Sequence, residues 1–367
     1  MGAHATQQRG QVAGGAALGA RRGWICRDAA ARRAGPSGVA RCGVLITTRA
    51  SRRNPPFVCN LAAVEQREEA EEPREFQVPK DDTTWELDFC SRPILDDRGK
   101  KLWELLVCDS DRSFEHSVYL PNNRINSVVL KRCLEDIIQS RDGAKPRRVL
   151  YFRTQLQTII TRALSELDIK AVQSKRCYAV MDWLDERLET VYSVDPKYDP
   201  TATPGFVFQE GIPKDLSDGL RGEKWLFVQM DWASLKDEMA DVANGKAFGA
   251  LFDPADQNLD VTDDTLIPGV AIFSRRAVPL AGWTGSLELS SISPDTNRAC
   301  LILGTDVSTK WIYGAFDKTE QNIAEAQAWE KAKEGVNGLH FLAVQDNPDA
   351  EVCAGLWLLR DRPLPKV

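Results

Sequence analysis

The order in which two hydrophobic periodicities alternate between Trp85 and Val191 constrains this 367-residue chain more than any other feature. Two short β-forming runs, around Leu87 and Phe89 and around Leu102, Leu105 and Val107, flank Pro93 to Lys100, where Asp96, Asp97 and Gly99 suit a turn. A third run, Ser117 to Leu120, ends at Pro121 and Asn122, so a three-stranded meander is predicted before any helix. Asn126 or Ser127 then caps a helix with Leu130, Leu134, Ile137 and Ile138 at helical spacing, ending by Gly143. Arg147 to Arg153 has the apolar middle of a buried strand. Thr154 and Gln157 form a T-x-x-Q capping box worth about 1 kcal/mol, for a helix with Leu156, Ile159, Ile160, Ala163, Leu164 and Leu167 on one face. Ile169 to Val172 is a further strand, and Ser174 opens a last helix carrying Cys177, Val180, Met181, Leu184, Leu188 and Val191.

The resulting order, β-β-β-α-β-α-β-α, is a meander followed by right-handed crossovers, as in ribonuclease H-like domains. Fold alone does not give function. A nuclease of this type needs carboxylates meeting at the sheet to hold two divalent metals. Asp88 offers the first and Glu135 the second, but the fourth strand ends in Tyr151-Phe152-Arg153, where a cation repels metal ions. Asp88 therefore reads as a strand residue facing solvent or paired with a neighbouring base, and neither a catalytic nor a metal site is expected.

Charge divides the chain. Residues 1–60 hold ten Arg, no Lys and one Asp, are rich in Ala and Gly, and have no continuous apolar segment; this is the composition of an organelle transit peptide, with a nucleic-acid-binding arm as the alternative. Residues 61–82, with Glu65, Glu68, Glu69, Glu71, Glu72 and Glu75, read as an acidic disordered linker. No run approaches the roughly 18 apolar residues of a membrane span, so membrane insertion is not expected. Cys90, Cys108, Cys133, Cys177, Cys300 and Cys353 are widely spaced without a C-x-x-C pair and read as reduced core thiols.

The domain divisions follow: an N-terminal α/β domain over 83–195, a Pro- and Gly-rich linker over 196–223, and an α+β domain with a largely antiparallel sheet over 224–367. In the last, strands are predicted at Trp225 to Met230, Val270 to Ser274, Ser286 to Ile292, Arg298 to Gly304, Lys310 to Ala315, Leu339 to Val344 and Leu356 to Leu359. Helices are predicted after the Asp231 cap and over Ala324 to Lys333. The aspartates of Asp253 to Asp264 lack EF-hand spacing and read as a surface loop. Nucleotide-loop glycines and a nucleophile elbow are both missing, so neither a cofactor nor a small-molecule substrate is expected. Most of the ten Trp stand in apolar runs and read as core.

Particular words in the sequence go further. WELDFCSRP at Trp85 to Pro93, KLWELLVCD at Lys101 to Asp109, QTII at Gln157 to Ile160, DTLIPG at Asp264 to Gly269, GLHFLA at Gly338 to Ala343 and the terminal Trp357-Leu358-Leu359 resemble the Tab family of chloroplast and cyanobacterial RNA-binding translation activators. The likeness runs from about Trp85 to the C-terminus. It implies a non-enzymatic factor that acts in the chloroplast stroma on the 5′ leader of the messenger for the photosystem I reaction-centre B polypeptide, within a larger complex of translation factors. The tail from Arg360 is more charged than the family's ending, and 198–218 has little family wording; both are expected at the surface.

RNA binding rests on cations that neutralise phosphates, and here the charge is against a broad basic face: residues 83–195 are neutral and 196–367 carry a net −10. Local clusters must carry the contact. The strongest is Lys145, Arg147, Arg148 and Arg153 with Lys175 and Arg176, and Tyr151 and Tyr178 are the nearest stacking candidates. The pairs Lys100 with Lys101, Lys131 with Arg132, and Arg275 with Arg276 are secondary. A metal-dependent nuclease and a protein-binding scaffold are the two competing functions.

Overall fold

The Asp96 carboxylate accepts the backbone N–H groups of Arg98 and Lys100 while Gly99 takes a left-handed φ of 72°, and this turn sets the register of the first sheet. The computed structural model describes Phe76, Val78 and residues 83–201, 211–350 and 352–365. The expected targeting segment and, apart from Phe76 and Val78, the acidic linker lie outside the described residues.

Strands β1 (Thr84–Leu95), β2 (Lys101–Asp109) and β3 (Glu115–Leu120) form the antiparallel meander. Helix α1 (Ser127–Ser140) follows, with the Asn126 side chain accepting the Val129 N–H at 3.0 Å. Strand β4 (Arg148–Tyr151) pairs parallel to β1, then α2 (Gln157–Ser165) leads to β5 (Lys170–Gln173) and α3 (Tyr178–Arg187). The sheet order is β3-β2-β1-β4-β5, with β1 central. One expected device does not form. Only the Thr154 carbonyl accepts from Gln157, no side chain caps α2, and the capping box is thereby corrected.

Alternation along β1 assigns its two faces. Trp85, Leu87 and Phe89 pack with Leu130, Leu134, Ile160 and Leu164 of α1 and α2, whereas Glu86 and Asp88 point to the α3 side with Leu150 and Phe152.

Beyond α3 come β6 (Lys214–Asp215), β7 (Lys224–Asp231), α4 (Trp232–Ala243), β8 (Phe248–Ala250), β9 (Leu266–Phe273), α5 (Ala277–Gly285), β10 (Leu289–Asp295), β11 (Cys300–Thr305), β12 (Thr309–Ala315), α6 (Glu320–Gly335), β13 (Leu339–Gln345) and β14 (Gly355–Arg360). Two sheets result: the meander β10-β11-β12 with β6 at its edge, and a mixed sheet β7-β9-β13-β14-β8. One face of the mixed sheet packs on Trp232, Leu235 and Met239 of α4; the other packs on α5, α6 and the meander. Part of the expected linker is thus built into the second half, since Lys214 and Asp215 pair with Trp311 and Ile312. The Trp357-Leu358-Leu359 word is central to this core: Trp357 and Leu359 face α5 and α6, and Leu358 faces the α4 side. The six Cys after residue 83 are free thiols, five of them buried.

Two side chains expected at the surface of the C-terminal stretch, Arg360 and Arg362, are packed instead. Arg360 and Arg362 reach Asp182 of α3 at 3.6 and 2.6 Å, and all three side chains are largely buried. The Tyr178 hydroxyl donates to the Arg360 carbonyl and accepts the Arg360 N–H, both at 3.1 Å. These contacts fasten α3 to the end of β14.

Candidate nucleic-acid interface

Helix α3 covers only part of the sheet face beneath it. The uncovered part, at the starts of β1 and β4, forms the floor of a cleft of about 560 Å³. Thr84, Glu86, Arg148 and Leu150 make this floor, because strand alternation puts them all on that face and the register pairs Thr84 with Arg148. Arg176, just before α3, closes one end. The second half supplies the roof: Gly249 and Ala250 of β8, Leu251 to Asp253, and Glu288 with Trp357 behind it.

The polar groups are held firmly. Arg148 Nε donates to Thr84 Oγ1 at 2.7 Å. Ser174 Oγ accepts the Arg176 N–H and donates to Glu288 Oε1 at 2.7 Å, tying the two walls together. The Arg176 guanidinium makes no ion pair among the described residues. On the floor Glu86 accepts the Val180 N–H at 2.9 Å; burial pushes its carboxyl up to about 8 against the α3 amides, which favour the charged form. The cleft therefore combines two cations with the Glu288 carboxylate, which can accept from N–H donors, above a Glu86 carboxyl that burial keeps protonated.

Of the residues expected to contact RNA, Arg148 and Arg176 meet in this cleft. Arg147 is exposed beside it in sequence, at the outer end of β4. Lys145 is exposed and 3.5 Å from Asp168, and Lys175 is half-buried near Asp361. The other three are corrected. Tyr151 packs in the core under α1 and α2, because its position in β4 faces inward. Tyr178 is buried by its bonds to Arg360 and its ring contact with Phe252, centroids 5.3 Å apart. Arg153 is buried against Asp88. Among the secondary candidates, Lys131 is engaged by Glu135 and Glu166, and Arg276 donates to the Gly219 carbonyl. Two participants, Glu288 and Phe252, were not anticipated, and neither was an exposed lysine near the cleft. Lys170 lies opposite Arg148 in register and is exposed, Glu288 sits at the entry to β10, and half-buried Phe252, packed against Tyr178, lines the cleft.

The position of a nuclease metal is closed by charge. Asp88 is 2.8 Å from Arg92 and 2.5 Å from Arg153, and Arg92 also pairs with Glu104 at 2.8 Å, all deeply buried. Burial raises the Asp88 carboxyl, but the two guanidiniums outweigh it and hold the group below its ordinary range. Asp88 does not face solvent, as one expectation had it. Glu135 lies on α1, which packs on the opposite face of the sheet. This donor set does not fit two divalent ions, and among the described residues no group of three or more His, Cys, Asp or Glu can hold a metal.

Residues 84–187 match the family described as RNA-binding protein Tab2/Atab2 N terminal, and residues 203–360 match RNA-binding protein Tab2/Atab2, C-terminal domain. The chain is 46% identical over 289 residues to "Protein TAB2 homolog, chloroplastic" of Zea mays, covering 79% of this chain and 74% of that protein. It is also 46% identical over 283 residues to the protein of the same name in Arabidopsis thaliana, covering 77% and 76%. The solved catalytic core domain of BIV integrase matches 29% of this chain and 69% of its own, at 13% identity and a TM-score of 0.21, a likeness that bears on nothing further.

Proposed function

Because this chain belongs to the Tab2 family of RNA-binding proteins, we propose that it binds a chloroplast messenger through its 5′ leader and activates translation without catalysing a reaction. The messenger is that of the photosystem I reaction-centre B polypeptide, the compartment is the stroma, and the factor works with other translation proteins in a larger complex. In this reading residues 1–60 direct import, 61–82 form a linker, and domains over 83–195 and 224–367 do the binding, joined by 196–223, of which Lys214 and Asp215 pair into the second domain's sheet. Neither a cofactor nor a small-molecule substrate takes part.

The observation that carries the reading is the cleft between the halves, where Arg148 and Arg176 stand on one wall and Phe252 and Glu288 on the other. Guanidiniums supply the phosphate contacts that dominate RNA affinity, and half-buried Phe252 in the opposite wall is the nearest aromatic to an unpaired base. The closure of the Asp88 position by Arg92 and Arg153 favours binding over cleavage. The test is binding of the full chain to the labelled leader against a scrambled competitor, across a salt series with magnesium present. Intact, sequence-selective complexes that weaken with salt support the proposal. Shortened RNA, or binding that appears only when partner proteins are added, overturns it.

A further inference from the structure

Ser174 fixes two unlike groups of the cleft at once. Fully buried itself, it accepts the Arg176 N–H at 2.9 Å and donates to Glu288 Oε1 at 2.7 Å. A cation from one half of the chain and a carboxylate from the other are thus anchored on a single hydroxyl. Among the described residues the Arg176 guanidinium makes no ion pair and Glu288 Oε2 accepts no hydrogen bond. Neighbouring carboxyl groups are engaged: Asp253 accepts the Ala255 N–H at 2.9 Å within its own loop, and Glu86 accepts the Val180 N–H on the floor. Glu288 therefore holds a pre-aimed acceptor open to whatever enters the cleft.

A nucleotide strand offers such a pair of groups three kinds of partner. Phosphates are drawn to the guanidiniums and repelled by a carboxylate. Base edges change from one nucleotide to the next. The ribose 2′-hydroxyl is present on every nucleotide of RNA, has a proton to donate, and sits on the carbon next to the one whose oxygen carries the 3′-phosphate. A carboxylate fixed beside a cation is complementary to that arrangement, a hydroxyl fixed beside a phosphate. In dinucleotide-binding folds an Asp or Glu reads a ribose 2′-hydroxyl by the same hydrogen bond. The cleft volume of about 560 Å³ lies within the range of roughly 300–1,000 Å³ typical of small-ligand sites, which suits one unstacked nucleotide.

We propose that Glu288 reads the sugar of the bound strand: its carboxylate accepts the 2′-hydroxyl of one nucleotide while Arg176 holds the 3′-phosphate of the same nucleotide, so that the cleft selects RNA over DNA. The assignment rests on the RNA-binding reading and adds to it the group that is read and the residue that reads it. The choice of base is left to other contacts. A deoxyribose strand loses the hydrogen bond and leaves the Glu288 carboxylate close to a phosphate with nothing to offset the repulsion.

The experiment measures, by fluorescence anisotropy, displacement of the labelled leader from the full chain by unlabelled strands of the same sequence made as RNA, as 2′-fluoro RNA and as single-stranded DNA. The 2′-fluoro strand keeps the sugar pucker of RNA but has no 2′ proton to donate. RNA is expected to compete roughly tenfold better than either of the others, the worth of one hydrogen bond to a charged group. Glu288→Gln keeps an acceptor for Ser174 and turns an amide donor toward the cleft, which reduces that advantage below about twofold. Arg176→Ala weakens all three strands alike. The wild-type comparison uses no variant, so it tests the hydroxyl even where Glu288→Gln lowers the melting temperature. Equal competition by RNA and 2′-fluoro RNA overturns the sugar reading while leaving RNA binding in place, as does an advantage that survives in folded Glu288→Gln. A leader that does not bind at low salt overturns both the assignment and the reading beneath it.

Discussion

Arg153 Nε donates to Asp88 Oδ1 at 2.5 Å, with both side chains buried, at the place in the first sheet where a nuclease would hold a metal. With Arg92 on the other side of the same carboxylate, this cluster is an ion-pair lock between β1 and the end of β4. Removing the Asp88 charge takes one carboxylate partner from Arg153 and leaves Arg92 with Glu104 alone, an imbalance of buried charge that costs about 3–5 kcal/mol. Asp88→Asn is therefore expected to lose that much in urea unfolding. A variant as stable as wild type would show that the buried charges are compensated elsewhere.

Glu86 makes stability depend on pH in an unusual direction. Its folded carboxyl lies near 8 because of burial, against an ordinary value of 4.5, so the folded state holds a proton that the unfolded chain releases. Stability is full below 4.5 and is lost as pH rises toward 8, by on the order of 3–5 kcal/mol. Melting curves of wild type and Glu86→Gln from pH 5 to about 9 test this; the slope should be shallower in the variant. Parallel curves would rule the assignment out.

His340 acts in the acid range. Its Nε2 accepts the Ile292 N–H at 3.0 Å, and burial together with the nearby Lys333 ammonium lowers its pKa from the ordinary 6.5. The unfolded chain takes up a proton that the folded chain refuses, so this contribution is present above 6.5 and lost as pH falls below it. Acid unfolding of His340→Gln should show a weaker pH dependence below that value than wild type.

Tyr178 links α3 to β14 through two hydrogen bonds of 3.1 Å to the Arg360 backbone. Tyr178→Phe leaves the Arg360 N–H and carbonyl without that partner and should cost about 1–3 kcal/mol. Amide exchange at Arg360 should rise selectively, and unchanged protection there would argue against the link.

Gly355 lies against Trp357: a Cβ at Gly355 would stand 2.5 Å from the indole Cη2 and 3.0 Å from Ala281. Gly355→Ala must displace a buried tryptophan and should cost about 1–3 kcal/mol, read as a lower melting temperature. The Trp357-Leu358-Leu359 word thus has a packing role that its position on both faces of β14 explains.

What was legible in the sequence was local. Asn126 and Asp231 cap their helices as read, and Gly143 and Gly245 take the left-handed φ that ends them. Helix α5 escaped because Pro279, Gly282 and Gly285 break the helical pattern, although a proline in the first turn removes an N–H that lacks a partner anyway. Strand β8 has three residues, too few to show a period. The site was half legible for a related reason. A basic cluster is visible in a string of letters, but whether Arg153 faces RNA or Asp88 depends on a partner 65 residues away. Glu288 and Phe252 join the cleft only through the packing of one half on the other, for which a single sequence carries no signal. The charged tail misled in the same way, since its arginines are matched by Asp182 and Asp185 of α3.

The most direct measurement is the salt dependence of leader binding by the full chain, comparing wild type with Arg148→Ala/Arg176→Ala and with Lys331→Ala, an exposed α6 residue away from the cleft. Each phosphate interaction removed from a single strand should reduce the slope of log K against log salt by about 0.7, so the double variant should bind more weakly with a slope lower by roughly 1.4, and Lys331→Ala should match wild type. A folded double variant with wild-type affinity and slope would contradict RNA recognition in the cleft.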